Sequence, residues 1–188
     1  MKKFELTTEF ITNFLGIKLF RIKALVKFGD VKKGELGGFV EKEENLEHYG
    51  NAWVSGDAQV YGDAKVYGDA KVSGNAIVSG DAKVSGNAIV SGDAIVSGDA
   101  IVSGNAIVSG DQMYATVKGF GSNYRDTTFF VTKDGNVCVN CGCFSGTLEQ
   151  FRKKVKETHK DTEYAKEYLA IADLMEMHFK EELEKIKK

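Results

Sequence analysis

From Ala52 onward the chain repeats a six-residue unit, Ala-x-Val-x-Gly-(Asp/Asn), and no other feature limits the possible folds as tightly. Ten Ala-x-Val copies run from Ala52 to Val108, and Gln112-Met113-Tyr114 reads as a decayed eleventh. On a strand, residues two apart share a face, so Ala and Val point one way and the residue between them points the other. Gly followed by Asp or Asn supplies a turn, because these residues tolerate left-handed backbone. Short strand, turn, short strand at constant length describes a coil. A hairpin sheet needs longer strands and does not keep a six-residue period. Val54 through Val108 are therefore expected to point inward along one continuous core.

The unit Val54-Ser55-Gly56-Asp57-Ala58-Gln59 places an aliphatic residue first and a small one four positions later. In this it resembles the hexapeptide-repeat proteins that form the left-handed parallel β-helix. The resemblance implies triangular coils of three hexads, about four coils in all. The left hand comes from the resemblance alone, since the general crossover rule favours the opposite hand. Residues eighteen apart then stack, and the outward residues sort onto three faces. One carries Trp53, Lys71, Ile89 and Ile107; the second carries Gln59, Ile77, Ile95 and Met113; the third carries Lys65, Lys83 and Ile101. From Ile89 onward the outward mid-strand residues are apolar, and a contiguous apolar belt marks an interface. Ile77, Ile89, Ile95, Ile101, Ile107 and Met113 are thus the expected self-association surface, with a trimer as the leading symmetry.

The flanks differ in kind. "GIKLFRIKALVKFG" (16–29) has apolar residues on both alternating faces, as an embedded strand does. Leu46 falls in the Ala phase six residues before Ala52, which starts the first coil near there. An open β-helix end exposes backbone and core, so residues 1–45 are assigned as its cap, 46–112 as the coils and 113–188 as a small α+β domain. In that domain "YATVKGF", "TTFFVT" and "VCVN" read as strands and "KDGN" as a hairpin turn. Thr147 to Gln150 fits a capping box opening a helix to about Thr158. A second helix runs from about Thr162 through Leu183 on the spacing of Tyr164, Tyr168, Ala172, Met175 and Phe179. Both the lead-in and "TTFFVTKDGNVCVNCGCFSGTLEQF" resemble segments of uncharacterised phage and prophage proteins, a likeness that carries no assigned chemistry.

Composition narrows the function classes. The 25 Lys+Arg and 27 Asp+Glu nearly cancel, which argues against a nucleic-acid binder that grips phosphates broadly. The three cysteines crowd into 138–143, which fits a reducing, cytoplasmic setting better than a secreted disulfide scaffold. No run reaches the ~18 apolar residues of a membrane span. Cys138, Cys141 and Cys143 with His159 or His178 invite a metal reading, but Cys-x2-Cys-x-Cys is not a paired knuckle, and strand parity puts Cys138 opposite the other two. Buried thiols acting as small apolar groups are the expectation, with no cofactor. "GFGSN" (119–123) lies between strands, where a phosphate cradle is not expected. Ser145, Gly146 and Thr147 open a helix whose amides are candidates for holding an anion, assisted by Lys118 and Arg125. Between 51 and 112, three lysines against seven aspartates leave only −4, so the Asp/Asn ladder is read as turn chemistry.

Hexapeptide-repeat acyltransferases use a histidine and a loop that interrupts the coils. Residues 49–112 hold no histidine and no inserted loop, and His48 has only Glu47 in view as an acid–base partner. The expectation is a non-enzymatic, self-associating binding protein with no catalytic residues. The phage likeness points to antagonism of a host defence, by holding a host protein or a nucleotide signal. A rigid spacer or virion-associated part is the structural alternative, and an acyltransferase the enzymatic one.

Overall fold

A computed structural model describes residues 1–186 as a mainly β protein of two compact units, residues 1–111 and Gln112 onward. The first unit opens with β1 (Phe4–Thr12), β2 (Lys18–Ala24) and β3 (Leu36–Val40). Ten two-residue strands follow, β4 to β13: Trp53–Val54, Gln59–Val60, Lys65–Val66, Lys71–Val72, Ile77–Val78, Lys83–Val84, Ile89–Val90, Ile95–Val96, Ile101–Val102 and Ile107–Val108. They stack in parallel as β4-β7-β10-β13, as β6-β9-β12, and as β5-β8-β11 continued by β3, β2 and β1. This is a parallel β-solenoid of about four turns. The register is eighteen residues: Trp53 pairs with Lys71, Gln59 with Ile77 and Lys65 with Lys83. Every repeat Ala and Val from Ala52 to Val108 is fully buried.

The corners explain the Gly-(Asp/Asn) step. Gly80 sits at φ +69, and a Cβ there would lie 2.9 Å from the Gly98 nitrogen. Only glycine lets successive coils approach this closely. At two of the three corners an Asn amide donates to the side chain of the next coil: Asn51 to Asp69 at 2.8 Å and Asn75 to Asp93 at 2.9 Å, while the third corner stacks Asp63, Asp81 and Asp99. At those two corners the amide also removes a like-charge contact between stacked carboxylates.

Both coil ends are closed by side chains that replace a missing rung. At the start, Lys3 Nζ donates to the Ala52 carbonyl at 2.9 Å, and the buried Asn45 amide donates to the Gly62 and Ala64 carbonyls at 3.1 and 2.9 Å. At the far end, Asp111 Oδ1 accepts the Ile95 amide at 2.9 Å. Backbone groups at an open edge need such partners.

Three expectations change here. Leu46 bridges Val66, so it takes the Val phase and not the Ala phase. Both that pair and Val40–Val60 are twenty residues apart instead of eighteen, while Gly50 still packs on Gly68. Two extra residues therefore bulge between Leu46 and Gly50, which disguises the phase. The first coil also begins earlier than residue 46, because β3 is already a rung. Met113 does not extend the second outward stack: Asp111–Met113 is a 3-10 turn, and the sheet ends at β11 because the Asp111 side chain takes the next amide.

In the second unit β14 (Tyr114–Phe120), β15 (Arg125–Val131), β16 (Val137–Cys141) and β17 (Phe144–Thr147) form an antiparallel meander. It is followed by α1 (Leu148–His159), α2 (Glu163–His178) and α3 (Lys180–Ile186). The expected strands and the Thr147 capping box are present, with Gln150 as its reciprocal partner. The expected second helix is divided at the fully buried Phe179 into α2 and α3.

Candidate functional site

The sheet of the second unit places Phe129 and Val139 against α1. Phe151 of α1 is the hub, its ring centroid 6.0 Å from Phe129, 5.6 Å from Phe144 and 5.7 Å from Tyr168. Strand period explains the split of the cysteines: Cys141 shares its face with Val139, whereas Cys138 points to the other face. A two-residue turn, Gly142-Cys143, joins β16 to β17, with Gly142 at φ +59. The Arg125 guanidinium lies over that glycine, where a Cβ would come within 2.6 Å of its Nη1.

These elements enclose a cleft of about 250 Å³ whose walls include Arg125, Lys154, His159, Phe144, Phe151 and Tyr168. Cys141 and Cys143 also line it, and Ser122 and Asn123 of the "GFGSN" loop form one lip. The loop is held by α2, since the Gly121 amide donates to Glu167 Oε2 at 2.9 Å and Gly121 packs directly on Tyr168. The Thr127 hydroxyl donates to Cys141 Sγ at 3.2 Å, and that thiol lies 3.9 Å from the Tyr168 hydroxyl. Burial, then the neighbouring thiol, push the Tyr168 phenol up to about 12, so it stays a neutral donor. Burial also raises the Cys138 thiol, with Asp134 adding to the effect. No Asp or Glu lines this cleft. Among the described residues, neither Arg125 nor Lys154 has an ion-pair partner, and the His159 ring meets only the Tyr164 and Tyr168 rings.

At the helix start expected to hold an anion, the Thr147 and Gln150 amides are already engaged within the capping box. Ser145, Gly146 and Thr147 are strand residues paired with β16, and the Thr147 amide donates to Gln150 Oε1 at 2.9 Å. The capping box that marks the helix start in the sequence is what consumes its free amide. Lys118 lies 3.5 Å from Asp126 and is not part of the cleft, whereas Arg125 is. Cys141, Cys143 and His159 do share the cleft, but no group of three or more His, Cys, Asp or Glu side chains comes together as a metal site among the described residues. Lys154 and Tyr168 were missed as site residues in the sequence. Their helical spacing marks them only as surface and core positions.

His48 occupies the two-residue bulge, beside a shallow cleft of about 600 Å³ lined by Glu43, Glu44 and Glu47. Its partner is Glu43 rather than Glu47: Nε2 lies 2.6 Å from Glu43 Oε1, and Nδ1 accepts the Lys3 amide at 3.1 Å. The ring also stacks on Phe4 at 4.4 Å. With Nδ1 accepting, Nε2 carries the proton and donates it to the carboxylate. Both nitrogens hold the cap in place, which leaves no lone pair for proton abstraction.

Of the outward isoleucines, Ile77 packs on Leu19, Phe39 and Tyr61 of its own chain, with Ile11 and Ile17 beside it. Ile89, Ile101 and Ile107 are half-buried, and Ile95 is 42% exposed.

A family model described as the YdcK beta solenoid repeat matches residues 82–98 and 96–110, so the chain is similar to that repeat in its later coils. The match and the stacked coils make it a β-solenoid repeat protein. No curated protein matches the chain.

Proposed function

We propose that this chain is a non-enzymatic, self-associating binding protein of phage origin, whose β-solenoid is the scaffold and whose second unit binds. Acting in the cytoplasm of a bacterial host, it antagonises a defence by holding a host protein or a nucleotide signal. Ile95 carries the self-association part of this reading. It is a branched apolar residue, 42% exposed, on the last rung of a flat pleated sheet, with Ile101 and Ile107 on the neighbouring faces. Exposed edge rungs of this kind aggregate unless a closed symmetric partner covers them. A trimer matches a coil with three faces. The non-enzymatic part is supported by His48, whose ring nitrogens are both engaged in the cap. The phage origin and the defence role rest on the likeness of the lead-in and the second unit to phage segments.

The test is light scattering of the parent beside Ile95→Lys. The parent is expected to be a trimer at micromolar concentration and the variant a monomer with unchanged thermal unfolding. Ile77 is left alone in this experiment because its own chain partly covers it, so a change there would also disturb the fold. A monomeric parent refutes self-association.

A further inference from the structure

The cleft of the second unit has a composition that points to its ligand. Two cationic side chains, Arg125 and Lys154, border it without ion-pair partners among the described residues; no carboxylate is among its lining residues, and Glu167 behind the lip is engaged by the Gly121 amide. Unpaired guanidinium over a glycine turn is an arrangement suited to bidentate recognition of phosphate or carboxylate. Beside these charges lies an aromatic wall: Phe144 and Tyr168 flank Phe151 at 5.6 and 5.7 Å, and His159 lies 5.6 Å from Tyr168. Phe151 and Tyr168 are buried and back this wall, and the half-buried Phe144 and His159 rings are the surfaces on which a planar base can stack. Tyr168, kept neutral by burial, adds a hydroxyl donor, and the "GFGSN" lip adds the polar side chains of Ser122 and Asn123.

Resting on the reading of the chain as a binding protein, we infer that this cleft is a nucleotide site for a phosphate ester carrying one planar base, of the size of a nucleoside monophosphate. Arg125 and Lys154 hold the phosphate, and the base lies against the aromatic wall. Volume decides between ligand sizes. At about 250 Å³ the cleft falls just below the ~300–1,000 Å³ of sites for drug-sized molecules. One base and one phosphate suit that space, and a dinucleotide exceeds it. The charge decides the sign of the ligand, and the small volume favours a small molecule over an acidic peptide.

The experiment is calorimetric titration of the full chain with adenosine and guanosine monophosphates, inorganic phosphate, adenosine, and a short poly-glutamate peptide, each up to ~10 mM. At least one monophosphate is expected to bind at least tenfold more tightly than phosphate or the nucleoside alone. Arg125→Gln with Lys154→Gln should weaken that binding at least tenfold while the helical circular dichroism and unfolding midpoint stay unchanged. Arg125→Lys, which keeps the charge but loses the fork, should recover part of the affinity. Four outcomes overturn the inference: no heat with any nucleotide, binding undiminished in the double variant, phosphate binding as tightly as the nucleotide, or binding of the acidic peptide alone. Light scattering on the same samples keeps the readings apart. A trimer that ignores nucleotides sinks the inference and leaves the assembly standing, whereas a monomer that binds them does the reverse.

Discussion

The two units of this chain are stable for different reasons. In the solenoid every buried position repeats: Val54 stacks on Val72, Val90 and Val108, and each coil meets only its neighbours. Its core is built from Ala and Val, and no single side chain dominates. The second unit instead converges on Phe151, whose ring meets Phe129, Phe144 and Tyr168 from three different elements. A periodic core spreads its stability along the axis, roughly as a sum of neighbour terms. A convergent core concentrates it in a few large rings, and it is also where the cleft with unpaired charges lies. The lesson is that the regular part supplies rigidity and the irregular part supplies chemical variety.

The largest test of this contrast is a pair of truncations. Phe151→Ala should cost the second unit about 3–5 kcal/mol, because three aromatic side chains lose their common contact. Val78→Ala, removing two buried carbons from a central coil, should cost the first unit about 1–2 kcal/mol. Trp53 fluorescence follows the first unit and helical circular dichroism the second during urea unfolding. Equal costs would show that the coil core is as convergent as the helical one.

Alkaline pH should separate the units through two buried groups of opposite sign. Burial lowers the Lys3 pKa from 10.5 to about 8, with Glu47 and Asp69 opposing the shift. Between those two pH values the unfolded chain holds a proton that the folded chain has released, so this group makes stability rise with pH. Tyr168 behaves in reverse. Burial, then Cys141, raise its pKa from 10 to about 12, so the folded chain keeps a proton that the unfolded chain has lost, and stability falls across that window. Each slope amounts to about 2–3 kcal/mol at most. Lys3→Met should abolish the first slope, seen by Trp53 fluorescence, and Tyr168→Phe the second, seen by circular dichroism. A parent whose two probes share one pH profile would contradict the assignment.

The smallest effect sharpens the account of the coil itself. Gly80 and Gly104 both sit at positive φ, but a Cβ on Gly80 meets the Gly98 backbone at 2.9 Å, whereas one on Gly104 meets nothing within 4 Å. Gly104→Ala should cost about 1–2 kcal/mol from the left-handed backbone alone. Gly80→Ala should cost about twice that, since the atoms it strikes are backbone and cannot swing aside. Equal midpoint shifts in urea would mean that corner conformation, not coil-to-coil approach, sets the requirement for glycine.

Much of the fold is readable in the sequence because the chemistry is local and repeated. The six-residue beat, the eighteen-residue stacking of Lys71 on Ile89, the strands around "KDGN" and the Thr147 cap all follow from residues a few positions apart. The errors fall where a single residue answers a distant one. Leu46 looked like a repeat Ala because the bulge that shifts its phase carries no signature of its own. At Thr147 the sequence shows a helix start, and only the folded cap shows Gln150 taking the Thr147 amide. The partial cover of Ile77 by Leu19 and Phe39 has no sign in the repeat, because it comes from strands far upstream.

By itself, then, the sequence determined a parallel β-solenoid, its three outward stacks and a separate sheet-and-helix unit after the repeat, since period and turn chemistry act between near neighbours. The tertiary structure alone decided how the coil is closed, through Lys3, Asn45 and Asp111 reaching for carbonyls and amides of other coils. It also decided which candidates meet. Arg125, Lys154, His159 and Tyr168 lie on three elements and share one cleft, while Lys118 lies outside it. Such convergence depends on how the rings around Phe151 pack in three dimensions, and packing of unlike side chains leaves no period in a sequence to read.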